Sequence, residues 1–311
     1  MSQLKAIVDK LLTNVSSALV PDGYIAEALL PSISSKTSTG LLAKYGMNHL
    51  RIESSLKGGR GQYKRVESIT RSTSSYSIVG HGLEGLVTAD DYRNTELPYK
   101  AEEDEVMGIT TMLWLEKEKS LADTLGSTSV LTQNTTLTGS DQYSDFLNSD
   151  PLSDFSAARS AIRSGCGLPP THAIMDWSVW NKLRFHPQML DYLGYKQARP
   201  GGLSETEMAT ALGVENIKIG KAVYNSSNEG QADALSAVWG KNIVFAVLPA
   251  KAIAYQTSLG YIVGFEGEQP RKVYKQDNFN PPGSTSILVE DSYQMLISNA
   301  AAGYLIKSCI A

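Results

Sequence analysis

The sequence predicts an α+β fold organised around one long helix, and three observations carry that reading. A helical stripe runs through residues 98–125. Short helix signals occupy the middle of the chain. Its last third holds alternating or all-apolar runs of strand length. Helices gathered in the middle and strands toward the end suit packed layers and not repeated βαβ units. No internal repeat is visible, and 311 residues with 42% hydrophobic content can bury a sizeable core in one elaborated domain or two lobes.

Charge and composition exclude several classes. Lys plus Arg number 28 against 32 Asp plus Glu, a net charge of −4, which argues against a protein whose main task is gripping nucleic acid phosphates. Two cysteines occur, Cys166 and Cys309, without metal-like spacing. They read as free buried thiols, with a disulfide as the alternative. Leu4, Ile7, Val8, Leu11, Leu12, Val15 and Leu19 form an amphipathic helical pattern, and Lys5, Asp9 and Lys10 break the apolar run that a signal peptide needs. Elsewhere the longest apolar run, residues 243–248, is far short of a membrane span.

Taken in order, residues 16–48 are rich in Ser, Thr and Gly with short apolar patches, an arm that needs a surface to lie on. Residues 49–79 read as a long hairpin or extended loop. Leu50, Ile52 and Ser54 begin one alternating side, residues 57–61 supply the turn, and the return ends at Tyr76 and Ile78. The long helix follows. Pro98 suits its first turn and Gly126 the left-handed position past its end; Val106, Ile109, Leu113, Leu121 and Leu125 mark the buried stripe. Glu102, Glu103, Asp104 and Glu105 face the positive end of its dipole.

Residues 127–149 read as a polar surface loop. Ser153 can cap a helix carrying Phe155, Ala158 and Ile162, closed by Gly165. Residues 172–175 form a strand running into Asp176, an N-cap for a helix with Trp177, Trp180 and Leu183 on one side, ended by Pro187. Ser204 and Glu207 have capping-box spacing, and Gly213 is the stop. Strands are predicted at residues 217–219, 243–248, 260–265, 286–297 and 304–310.

Chemistry-bearing motifs are few. Residues 80–85 match G-x-G-x-x-G, but the acids that follow sit in helix turns and not on a second strand, so a glycine-rich turn is the better reading than a dinucleotide site. His49, His81, His172 and His186 share no ligand spacing, and no nucleophile elbow, zincin or phosphate-loop motif occurs. The acid pairs Asp90 with Asp91 and Asp141 with Asp145 lie in polar stretches where carboxylates are usually just solvated. No catalytic, cofactor or metal residue is assigned.

The charge distribution says more. Arg51, Lys57, Arg60, Lys64, Arg65 and Arg71 face only Glu53 and Glu67 across residues 51–71, net +4. Residues 84–105 carry Glu84, Asp90, Asp91, Glu96 and the four helix acids with Glu102 to Glu105 against Arg93 and Lys100, net −6. Such runs are usually independent solvated surfaces. Here the basic one has no core of its own, which points to contact between copies: Lys57, Arg60, Lys64 and Arg65 with Glu102, Glu103, Asp104 and Glu105.

Several stretches, in this order and over nearly the whole chain, resemble a known family. They are Thr171-His172-Ala173-Ile174-Met175 running into Trp177 and on to His186-Pro187; Leu212-Gly213-Val214 with Ile219-Gly220-Lys221-Ala222-Val223-Tyr224; Trp239-Gly240-Lys241-Asn242; and Ala302-Gly303-Tyr304-Leu305-Ile306-Lys307. The chain resembles the major capsid proteins of tailed bacteriophages, with the Hong Kong 97-like fold. The resemblance implies an N-terminal arm (1–48) and an extended loop (49–79). It implies a peripheral domain (80–166 and 258–297) with the spine helix at 98–125, and an axial domain (167–257 and 298–311).

It also implies a non-enzymatic virion protein without cofactors, assembled in the bacterial cytoplasm as hexamers and pentamers into an icosahedral shell around double-stranded DNA. The implied partners are a portal, a separate scaffolding protein, since the loop is reached too early for a fused one, and in some cases a decoration protein; no membrane is implied. An encapsulin-type compartment of the same fold is the nearest alternative. A soluble nucleotide-binding enzyme using residues 80–85 is the alternative from another class.

Overall fold

The computed structural model describes residues 7–56, 61, 63–66, 70–94, 100–194, 201–228, 230–249, 257–266, 271–279 and 281–311. The chain enters on β1 (Ile7–Val8), which pairs with a late strand. Asp9 then accepts from the amides of Leu11 and Leu12 and caps α1 (Lys10–Ala18). The predicted N-terminal helix is thus cut at Asp9, whose extended backbone (φ −88°, ψ 114°) is what an N-cap requires.

The arm continues through α2 (Ala26–Leu29), β2 (Ser32–Ser35) and β3 (Thr39–Tyr45). Ala26, Leu29 and Leu30 are buried, so it does lie on a surface. The hairpin begins earlier than predicted: β3 pairs antiparallel with β4 (Arg71–Ser77), from Thr39 opposite Ser77 to Tyr45 opposite Arg71. Residues 51–56, where alternation predicts a strand, have no strand partner among the described residues and stay irregular.

The glycine-rich motif is neither a cofactor loop nor a turn. It lies within β5 (Val79–Val87), which pairs residue for residue with a later strand. A Cβ on Gly85 would sit 2.0 Å from Glu105 Oε1 and 2.7 Å from Ile109 Cδ1, so glycine there lets the helix approach the sheet. After α3 (Ala89–Asn94), the spine α4 spans Ala101–Leu125, 25 residues or about 37 Å. Pro98, the predicted first-turn residue, lies outside the described residues, and Lys100 is the N-cap. Gly126 is right-handed (φ −81°), not left-handed; a Cβ there would come within 3.0 Å of the Ala122 carbonyl.

Residues 127–149 are not merely a surface loop. Leu131, Leu137 and Tyr143 are buried, and β6 (Asn134–Thr136) joins a sheet. Helix α5 (Pro151–Cys166) is capped by Asp150, not Ser153, and ends at Gly167 (φ 79°), not Gly165. Next come β7 (His172–Asp176), α6 (Trp177–Leu183), capped by Asp176 as predicted, and α7 (Pro187–Tyr192). Pro187 opens α7 at its first turn and does not close α6, and the buried side of α6 carries Val179 and Leu183 while Trp177 is exposed. The predicted capping box is present at the start of α8 (Glu205–Leu212), with Gly213 left-handed (φ 67°).

Strands then follow at β8 (Asn216–Gly220), β9 (Val223–Asn225), β10 (Leu235–Ala237), β11 (Ile243–Ala246), β12 (Gly260–Phe265), β13 (Arg271–Phe279) and β14 (Ser284–Ile297). A last strand, β15 (Gly303–Lys307), follows a short 3-10 turn. β9, β10 and β13 are absent from the sequence reading, the first two for their shortness and β13 for its charged alternate residues.

Two main sheets result. In the first, β13 and β12 follow one another along one edge of β14 while β5 takes the other; β1 flanks β13 and β2 runs parallel beside β12. The second has the order β6-β15-β11-β7-β8. The spine joins them. Val106, Ile109 and Leu113 pack with Leu12, Val87, Val273, Ile287 and Val289 of the first layer. Leu121, Ala122 and Leu125 enter the larger core that holds Phe155, Ile174, Phe245 and Leu305. Since β6 pairs with β15 and α5 packs in that larger core, residues 127–166 associate with the second sheet.

Candidate assembly surfaces

Among the described residues, the loop bases and spine acids singled out in the sequence make no ion pair with one another within one subunit. Lys57 and Arg60 lie outside the described residues. Lys64 pairs with Glu53 of the same loop, and Arg65 is exposed without an ion pair among the described residues. On the spine, Glu102 accepts from Lys275 Nζ at 2.7 Å and from the Tyr92 hydroxyl at 2.6 Å. Glu103 pairs with Lys100, and Glu105 lies against Gly85. Asp104 is exposed and has no ion pair among the described residues.

Beside these charges the loop displays apolar side chains. Leu50, Leu56 and Val66 are exposed and Ile52 is wholly so, with no side chain of its own subunit covering it. Scattered exposed apolar residues are normal, but a concentration on one extended segment marks an interaction surface.

The strongest polar constellation is buried and structural. Glu118 of the spine is fully buried, and its carboxylate accepts from Ala26 N at 2.7 Å, Ile25 N at 3.0 Å and Trp239 Nε1 at 2.6 Å. One side chain thereby ties the arm, the spine and the strand-rich lobe together. Burial pushes its pKa up, partly opposed by the donors from Trp239, Ala26 and Ile25.

At the residue before Glu118, Lys117 approaches Asp291 Oδ2 at 3.6 Å, as does Arg271. Arg271 also reaches Glu27 at 3.3 Å, donates to Ser16 O at 3.2 Å, and stacks its guanidinium over Trp114 with 4.2 Å to the ring centroid. Trp114 Nε1 donates to Leu19 O at 3.0 Å, and Ser16 and Thr110 share a hydroxyl contact of 2.8 Å. The arm is therefore fastened by polar groups at several points along the spine.

The remaining titratable groups have local roles. Asp91 accepts from Thr88 and Asp145 from Asn148 and Leu147, and these bonds hold both carboxyls below their ordinary range. His186 Nδ1 accepts from Gln188 N at 3.3 Å at the start of α7, while its Nε2 lies 3.0 Å from Ser149 Oγ. His81 stacks on Tyr293. Cys166 and Cys309 are both free and buried, and burial raises both thiols. Among the described residues no group of three His, Cys, Asp or Glu could hold a metal, and no helix is long and apolar enough to cross a membrane.

Comparison with known proteins bears on what these surfaces serve. No protein-family model matches the chain. The major capsid protein of Burkholderia phage BcepMu is 25% identical over 315 residues, covering 99% of this chain and 98% of that one. The crystal structure of a phage-related protein from Bordetella bronchiseptica superposes with a TM-score of 0.74 at 21% identity, covering 98% of both chains. The chain has the Hong Kong 97-like fold of phage capsid proteins. The mature capsid of bacteriophage PhiM1 has the same fold at 12% identity, with a TM-score of 0.55 over 99% of this chain and 91% of that one.

Within this capsid fold, sequence reasoning found the arm, loop, spine and charge contrast but missed the buried anchors. Their signal was present. Lys117 and Glu118 stand four residues after Leu113 and Trp114, and three to four before Leu121 and Ala122, on the buried stripe of the spine. Two charges at core positions demand partners.

Proposed function

We propose that the chain is the shell subunit of a phage virion, assembling as hexamers and pentamers into an icosahedral capsid that encloses double-stranded DNA, with no catalytic role. The observation that carries this is full-length similarity to a phage major capsid protein, combined with an extended loop whose charged and apolar groups have few partners in their own subunit. The compartment alternative is not favoured, because that relative is a phage capsid protein. The nucleotide-binding alternative loses its support, because its glycines belong to a strand packed on the spine. Scaffold, portal and decoration partners are part of the proposal, as is a mildly acidic subunit (net charge −4) that repels packaged DNA and lets it slide.

Between copies, the basic loop with Lys57, Arg60, Lys64 and Arg65 lies over a neighbour's spine start. Each exposed pair contributes about 0–1 kcal/mol, so the charges set register and orientation more than affinity. Since Glu102 is held by Lys275 and Glu103 pairs with Lys100, Asp104 is the open acceptor among the described residues. Electron microscopy of particles from expressing cells tests the shell reading: closed shells, tubes or capsomer rings support it, and a discrete monomer or dimer with and without scaffold overturns it. Reversing Lys64 and Arg65 to Glu should impair assembly at low salt, and Glu103→Lys with Asp104→Lys should partly restore it. Normal assembly of the loop reversals refutes the charge pairing.

A further inference from the structure

Among the described side chains that cap helices in this subunit, His186 alone is of a type that changes charge near neutral pH. It is buried at the joint between α7 and the segment that leads into α5. Its Nδ1 accepts from the Gln188 amide at 3.3 Å, and its Nε2 lies 3.0 Å from Ser149 Oγ. Ser149 in turn donates its hydroxyl hydrogen to the Asp145 carbonyl. That leaves Ser149 Oγ as an acceptor, so the ring proton is on Nε2 and Nδ1 keeps its lone pair for the cap. Phe146 packs edge-on against the ring with 5.3 Å between centroids, and Gln188 Nε2 donates to Asp150 Oδ1 at 2.7 Å. Helix α7 is thereby seated on the start of α5, with the imidazole at the centre of the joint.

This geometry has no place for a second proton on the ring. That proton would sit on Nδ1 and point at the Gln188 N–H, so two donors would meet and the cap would be lost. The charged groups nearby are committed elsewhere. Asp150 accepts from Ser153 N and Gln188, Asp145 from Asn148 and Leu147, and Asp154 from the Tyr143 hydroxyl. Arg184 is spent on the Gly201 carbonyl and on the Trp180 and Phe185 rings, while Lys182 and Asp191 are exposed. Burial holds His186 below its ordinary 6.5, and the Asp150 carboxylate opposes that less strongly.

We propose that His186 is a proton-operated latch: when the imidazole takes a second proton, α7 loses its cap and comes away from α5. The folded joint favours the neutral ring, so the latch is whole above pH 6.5 and loosens as pH falls below it. Release uncovers Met189, which is fully buried, near Phe146, Phe185 and Tyr192, which are already exposed. Acid thus turns this corner of the lobe into an apolar surface. The latch does not rest on the shell reading.

The test is amide hydrogen exchange of the full chain as dispersed subunits at about pH 7.5 and about pH 5, each rate divided by that of unstructured chain at the same pH. Amides of residues 188–192 should lose about fivefold or more of their protection at the lower pH, the worth of a lost cap, while those of α8 change less than about twofold. His186→Asn keeps a capping acceptor that does not titrate and should abolish the loss; His172→Asn, at the half-buried histidine of β7, should leave it in place. A loss under about twofold in the unsubstituted chain, an equal loss in H186N, or an equal loss in α8 overturns the latch. Nitrogen NMR of the histidine rings in the unsubstituted chain is the second measurement and needs no variant to fold. The ring whose titration midpoint matches the loss of α7 protection should carry its proton on Nε2 above that midpoint. No ring with that midpoint, or one protonated on Nδ1, overturns the proposal.

Discussion

Replacing Glu118 by alanine should be among the most damaging single changes in the spine. The side chain is fully buried and satisfies three buried donors, Ile25 N, Ala26 N and Trp239 Nε1, at 2.6–3.0 Å. Each donor left without a partner costs about 1–3 kcal/mol, so the three together put the loss for Ala at roughly 3–9 kcal/mol. That is a large share of the ~5–15 kcal/mol that keeps a typical domain folded. Glutamine should cost less. Its carbonyl can keep the two arm amides, its NH2 would face Trp239 Nε1, and the loss of that one bond is offset because no charge is desolvated. Urea midpoints of dispersed subunits measure both changes, and proteolysis between residues 19 and 31 reports whether the arm is released. A loss below about 1 kcal/mol for Ala, or equal losses for Ala and Gln, would refute the anchoring role.

The same residue gives a pH signature of definite sign. Burial raises the Glu118 pKa above its ordinary 4.5, so the folded subunit holds this proton more tightly than the unfolded chain. Its contribution to stability is therefore fully present at low pH and is lost as pH rises through the window above 4.5. E118Q should lack that slope, and the difference between the two urea midpoints plotted against pH isolates it.

Other changes test other joints. Gly85→Ala places a methyl within 2.7 Å of Ile109 Cδ1, and overpacking of this kind costs about 1–3 kcal/mol, visible as a lower urea midpoint. Asp291→Ala strips Lys117 and Arg271 of their shared buried carboxylate and should cost about 3–5 kcal/mol; a loss under about 1 kcal/mol would mean that Glu27 and the aromatic rings suffice. Ser204→Ala removes the α8 capping box for about 1 kcal/mol, readable by thermal denaturation, with assembly unchanged.

What was legible in the sequence follows a physical line. Helix ends carry their signals in a few adjacent residues, so Asp176, Ser204 and Gly213 could be placed directly. Boundaries set by distant contacts could not. β3 is a strand because Arg71–Ser77 lies beside it, and its own residues, with one face fully exposed, show little alternation of hydrophobicity. The glycines of β5 mimic a phosphate loop locally, and only the approach of Ile109 explains Gly85. The partners of Lys117 and Glu118 lie far away in sequence and could not be named from it, although helical spacing puts both residues on the buried stripe.

The subunit separates two kinds of interaction. Groups that hold it together are buried and satisfied: Glu118, the Lys117–Arg271–Asp291 cluster and the two cores bridged by the spine all spend their bonding capacity within one chain. On the loop, by contrast, Ile52 and Leu56 are left exposed. Sites this far apart with no shared partner should act additively. Substitutions at Glu118, Gly85 or Asp291 should then shift the urea midpoint of the free subunit, whereas those at Ile52 or Leu56 should leave it unmoved and act on assembly alone. Loss of subunit stability in an Ile52→Lys or Leu56→Lys variant would contradict that separation, since nothing in the folded chain covers either side chain.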